Sequence, residues 1–153
     1  MDKLNTDMLR QICQKIGDRD KINLLSVNNS LHLLKNNIYY NDRVHDIDIQ
    51  DLWYYDQFTN IYSESYMFKL PKNITHLTFG NFFDYSIKNC IPSTITHLTF
   101  GRWFTQDIQY LPKSVIFLTL SEYYHEEKRL ESWQLYARDD TKYYSVLTYT
   151  RKN

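Results

Sequence analysis

Seven residues from Ile74 to Gly80 read ITHLTFG, and the same seven letters recur from Ile95 to Gly101. Both copies follow a proline, Pro71 and Pro92, and Pro112 continues the series at almost the same step, opening LPKSVIFLTLS. From each proline the apolar residues fall at the same places: Ile74, Leu77 and Phe79, then Ile95, Leu98 and Phe100, then Val115, Leu118 and Leu120. Phe83, Phe104 and Tyr124 stay in column beyond them, followed by Ile87 and Ile108. One unit of this length cannot bury its own apolar side, so the copies must stack on one another.

A period of about 20 residues with the pattern apolar-x-x-apolar-x-apolar belongs to leucine-rich-type solenoids, in which each unit gives a short strand and a return segment. Alternate strand residues face opposite sides of a sheet. Leu77 and Phe79 are therefore expected inside, and His76 and Thr78 outside, in columns with His97 and Thr99 and with Phe117 and Thr119. The prolines suit the turn before each strand, where a missing N–H costs no ladder bond.

An earlier stretch carries the same spacing, since Val44, Ile47 and Ile49 match Ile74, Leu77 and Phe79. It predicts an opening rung whose strand, at about 45–49, pairs in parallel with 75–79, with Ile47 and Ile49 inside. The step from Val44 to Ile74 is half as long again as that from Ile74 to Ile95, so the return segment must carry an insertion, assigned to YSESYMF. The outer columns become Asp46, His76, His97, Phe117 and Asp48, Thr78, Thr99, Thr119, a candidate surface for an extended or basic partner segment. The rungs lie near 44–61, 70–90, 91–110 and 111–121, within a solenoid spanning 39–121.

Residues 1–38 change to a helical period. Met8, Leu9, Ile12, Cys13 and Ile16 define one apolar face, with Asn5 or Thr6 as cap and Gly17 as a left-handed terminator. Asp18 or Asp20 caps a second helix anchored by Ile22, Leu25 and Val27, and a short third helix starts near Ser30. The fold class is thus α+β, a three-helix module before a short solenoid of parallel strands. Residues 122–153 abandon the repeat but keep large aromatics, which predicts a cap: a helix near 126–136, a strand near 143–149 and a buried Trp133.

Eighteen basic residues balance eighteen acidic ones, so no net charge draws the chain to nucleic acid or to an anionic membrane. The opening MDKLNTDML has no apolar stretch of signal length, and nowhere is there an apolar run long enough to span a bilayer, so a cytoplasmic protein is expected. Cys13 and Cys90 form no disulfide framework or C-x-x-C pair. His76 and His97 lack a neighbouring carboxylate or thiol to complete a metal site, and the Thr78, Thr99, Thr119 ladder is ordinary strand chemistry. His125-Glu126-Glu127-Lys128-Arg129 misses the second histidine of H-E-x-x-H. Three glycines cannot make a phosphate loop, and G-x-S-x-G is missing, so no enzyme, cofactor or metal is expected.

The order LNTDMLRQICQKIGDRDKINLLSV resembles an F-box. Leu4 stands at its opening leucine, Asp7 at its acidic position, Met8, Leu9, Ile12 and Ile16 at its apolar positions, Asp20 before the second helix and Val27 near its end. LPKNITHLTFGNFFDYSI and IPSTITHLTFGRWFTQDI resemble FNIP repeats, a leucine-rich-like family found with F-boxes in amoebae and amoeba-infecting giant viruses. Asn5 replaces the usual F-box proline, Leu31 the usual third-helix tryptophan, and the F-N-x-P-I element survives only as Phe83 to Ile87 and Phe104 to Ile108. The resemblance implies a substrate-recruiting adaptor of a Skp-cullin-F-box ubiquitin ligase. Leu4, Met8, Leu9, Ile12, Ile16, Ile22, Leu25 and Val27 would then divide between a helical core and a face for a Skp-type subunit, and the solenoid would hold an unknown target in the cytoplasm, that of the host if the protein is viral. The alternative is a non-catalytic binding or assembly solenoid whose helices only cap the stack.

Overall fold

The structure, a computed structural model, describes residues 6–64, 69–124, 130–140 and 145–152. Its order is α1 (Thr6–Cys13), α2 (Asp18–Leu24), α3 (Asn29–His32), a 3-10 turn (Leu33–Asn37), β1 (Val44–His45), α4 (Asp46–Ile49) and a second 3-10 turn (Tyr55–Gln57). The strands β2 (Asn60–Ser63), β3 (His76–Phe79), β4 (His97–Thr99), β5 (Phe117–Ser121), β6 (Trp133–Asp139) and β7 (Val146–Arg151) follow. One sheet runs β1-β2-β3-β4-β5-β7-β6. Its first five strands pair in parallel, and β7 and β6 close the end antiparallel. The result is a β-solenoid of about four turns with a few helices.

The repeat is visible bond by bond. Each proline carbonyl accepts from the N–H three residues on: Ile74 to Pro71 at 3.3 Å, Ile95 to Pro92 at 3.2 Å and Val115 to Pro112 at 3.1 Å. The turn places the next side chain inward, so Ile74, Ile95 and Val115 are fully buried. Leu77, Leu98 and Leu118 pair across rungs, as the period predicts. Phe79 stacks on Phe83 at 3.7 Å within its rung and on Phe100 at 5.4 Å in the next; Phe100 stacks on Phe104, again at 3.7 Å. Phe83, Phe104 and Tyr124 continue as a buried ladder. Such pairs add about 0.5–1.5 kcal/mol each beyond burial, which is why one rung is stable only against another.

The opening rung differs from expectation. Residues 46–49 form a helix, and only Val44 and His45 are strand, paired with Ile61 and Tyr62 rather than with 75–79. The strand beside β3 is β2, from the segment expected to return: Ile61 pairs with Leu77 and Tyr62 with Thr78. The expected insertion therefore begins inside a strand, and its last part, 65–68, lies outside the described residues. Ile49 is buried as predicted, whereas Ile47 is 58% exposed. A spacing of three and then two residues fits a helical turn as well as a strand, and the helix wins because β2 already occupies the edge of β3.

Three short helices stand where the periodicity predicts, with different details. Gly17 is not a left-handed terminator; its φ of −67° makes it the extended residue before α2. Neither Asp18 nor Asp20 caps α2 with its side chain. Asp18 instead binds Lys21 Nζ at 2.5 Å and the Asp42 N–H at 2.6 Å, while Asp42 Oδ2 accepts from the Asp18 N–H. The reciprocal Asp18–Asp42 bonds, with Lys21 Nζ donating to the Tyr39 carbonyl at 3.2 Å, tie α2 to the start of the solenoid. At the other end Trp133 is buried, as predicted. Residues 133–139 are strand, not helix, because they pair with β7; residues 125–129, including the H-E-x-x-R stretch, lie outside the described residues. Among the described residues no helix is long and apolar enough to cross a membrane.

Candidate functional site: the outer face of the sheet

Outward columns emerge where β2 to β5 keep register. Asn60, His76, His97 and Phe117 pair in turn, as do Tyr62, Thr78, Thr99 and Thr119, and β7 adds Thr150 and Thr148. His76, Thr78, His97, Thr99, Phe117 and Thr119 therefore share one face as the sequence predicts, each partly exposed. Asp46 and Asp48 do not. Both lie on α4, Asp46 buried and Asp48 exposed, and their expected places are taken by Asn60 and Tyr62. The acidic end expected of this face is missing, and the columns carry no ionised side chain from Asn60 to Phe117.

The first column is a stack. The His76 and His97 rings lie 4.1 Å apart and 13° from parallel, and His97 lies 4.6 Å from Phe117. Tyr136 of β6 meets Phe117 edge-on at 5.8 Å. Each imidazole is held from beneath by the preceding threonine, Thr75 Oγ1 at 2.8 Å from His76 Nδ1 and Thr96 Oγ1 at 2.9 Å from His97 Nδ1. Those hydroxyls also donate to the carbonyl of the previous rung, Thr75 to Thr59 and Thr96 to Thr75. A hydroxyl has one proton. When that proton goes to the carbonyl, Nδ1 is the imidazole donor; when it goes to the ring, Nδ1 accepts it.

Burial pushes the pKa of His76 below its usual value, and burial followed by the neighbouring His76 does the same for His97. Both rings are neutral at pH 7. The stripe is therefore an uncharged aromatic strip beside a hydroxyl strip that Thr119 and Thr148 extend at 3.1 Å. Parallel rings point their lone pairs side by side rather than at a common point, a poor geometry for chelation. Among the described residues no three His, Cys, Asp or Glu side chains group to hold a metal.

The helical candidates divide. Leu9 and Leu25 are buried, Ile22 packs against the solenoid core and Ile16 is half-buried. Met8, Ile12 and Val27 are exposed, Val27 at 73%, and Leu33 joins them. Leu4 lies outside the described residues. The helical period sees Met8 and Leu9 as one face; packing separates them.

A short parallel solenoid with a flat outer sheet face is a repeat-type protein-binding scaffold. The FNIP Repeat family model matches residues 68–102 and 86–123, which supports the FNIP reading of the repeats. No curated protein and no solved structure matches the chain. Sequence reasoning missed Asn60, Tyr62 and Tyr136 on the face, and the supporting Thr75 and Thr96. Thr59, Thr75 and Thr96 share one repeat position, a signal that alignment of FTNIYS with ITHLTF would have exposed.

Proposed function

We propose that this chain is a substrate-recruiting adaptor of a Skp-cullin-F-box ubiquitin ligase, its amino-terminal helices docking a Skp-type subunit and its outer sheet face holding the target. Catalysis resides in the partners. The observation that carries this reading is the division on the helices: Leu9, Cys13 and Leu25 fill the core, while Met8, Ile12, Val27 and Leu33 remain exposed. Four large apolar groups left in water on so small a module are what a docking partner would cover. A second reading, helices that only cap the stack, draws on the packing of Ile22 against the solenoid core.

Thr99→Arg tests the target face without touching the core. Proteins captured from cells by the wild-type chain and lost with Thr99→Arg should accumulate when the proteasome is inhibited. An identical captured set for both chains, or one indifferent to proteasome inhibition, defeats the reading.

A further inference from the structure

The charge pattern of the outer columns limits what can cover them. Around the stacked imidazoles stand Asn60 on β2, Thr75 and Thr96 beneath the rings, Thr78 and Thr99 beside them, and Phe117 on β5 with Tyr136 of β6 against it. Among the described residues no carboxylate, ammonium or guanidinium acts on either ring: burial alone lowers the pKa of His76, and His97 feels burial and then His76. Glu64 stands at the β2 margin, where it accepts from Tyr62 Oη at 2.8 Å, and Arg43 acts on the same phenol.

A charged side chain laid over this strip would lose its hydration and meet no opposite charge in return. An uncharged segment loses little. Thr78 and Thr99 offer its backbone hydroxyls that both donate and accept, and the rings of His76, His97 and Phe117 receive its apolar groups. From Asn60 to Phe117 the strip crosses three rung steps, about 14 Å, which an extended chain covers in about four or five residues. The histidines make the same strip sensitive to protons. Their rings lie 4.1 Å apart, so one imidazolium opposes the other, and a segment covering them removes the water that either charge needs. Cover and proton exclude each other.

We propose that the outer face takes a short extended segment of its partner that carries no charged side chain, and that protonation of the His76–His97 stack releases it. This rests on the reading of the outer sheet face as the target face, and holds whatever docks on the helices.

The test is a random peptide library displayed on phage, selected on the full chain at neutral pH and depleted on Thr99→Arg. The retained peptides should be poorer in Asp, Glu, Lys and Arg than the starting library. One of them, free of histidine, acetylated, amidated and fluorescently labelled, is then titrated by anisotropy, with circular dichroism confirming the fold at each pH. Its Kd should rise by about fivefold or more from about pH 7.5 to about pH 5, because a bound state that excludes the proton loses affinity below the free imidazole pKa. A central Asp or Lys placed in the peptide should weaken binding by about tenfold. His76→Phe with His97→Phe, two copies of Phe117, should still bind and lose the pH dependence; should the double variant not fold, His97→Phe alone should lessen it. Retained peptides rich in charge, tighter binding at low pH, or a pH dependence unchanged in the folded variants would each overturn the proposal and leave the target face standing. A library that yields no peptide sensitive to Thr99→Arg would overturn the target face and the proposal with it.

Discussion

Replacing Gly101 by alanine should be far more damaging than the same change at Gly80, although the two occupy one position of ITHLTFG. Neither glycine has a positive φ, so turn conformation does not explain them. A Cβ at Gly101 would stand 2.5 Å from Asn81 Cα and from the Gly80 carbonyl carbon, and closer still to the Gly80 oxygen. Ordinary contact begins at 3.4 Å, so the backbone of the previous rung must retreat by at least 3.4 − 2.5 = 0.9 Å. Overpacking of this kind costs about 1–3 kcal/mol. The retreat also strains the Trp103 N–H to Asn81 carbonyl bond of 3.1 Å and the Arg102 N–H to Asn81 Oδ1 bond of 3.3 Å, at about 1 kcal/mol apiece. Gly101→Ala should therefore lose about 3–5 kcal/mol. At Gly80 the nearest atoms are Tyr62 Oη and Glu64 Cγ, both at 3.0 Å, with the Glu64 Cα at 3.3 Å; the side chains can swing, and the cost should stay near about 1 kcal/mol. Urea unfolding followed by tryptophan fluorescence measures both. Equal losses, or a Gly101→Ala loss under about 1 kcal/mol, would refute the close stacking of these rungs.

Three further outcomes follow from the same contacts. Because burial lowers the pKa of His76 and His97 below their usual 6.5 in the fold, the unfolded chain takes up protons first; stability should fall as pH drops below about 6.5. His97→Phe, which copies Phe117, should lessen that fall, and an unchanged pH profile would contradict the stack. Asp18→Ala strands the buried Lys21 ammonium and the Asp42 N–H, and should cost about 3–5 kcal/mol in the same unfolding assay. A chain ending after Tyr124 leaves β5 without the pairing it makes with β7 from Phe117 to Ser121, and should be insoluble on expression; a soluble, cooperatively unfolding product would refute the capping role of β7.

The legible parts of the fold were those in which a residue repeats because a neighbour repeats. Ile74, Ile95 and Val115, the Phe83 column and the pairing of His76 with His97 all follow from period and alternation. The opening rung did not. Phe58, Thr59 and Ile61 carry the pattern at a shorter step than the later rungs keep, while Val44, Ile47 and Ile49 imitate it with one turn of helix. Local spacing cannot separate a strand from a helical turn over so short a stretch, and only pairing with β3 decides. At the carboxyl end, WQLYARD becomes a strand because β7 is there to pair with it. On the helices, period alone could not foretell which of Met8 and Leu9 finds the core.

The most direct test of the adaptor reading is the mass of a purified mixture. The full chain and a Skp-type adaptor subunit, combined at micromolar concentration and passed over a sizing column with light scattering, should elute as a one-to-one complex. Met8→Glu with Val27→Glu, two changes at exposed positions, should leave the fold intact and abolish that complex. If the wild-type chain elutes alone, or the double variant still binds, the helices do not dock a Skp-type subunit through this face.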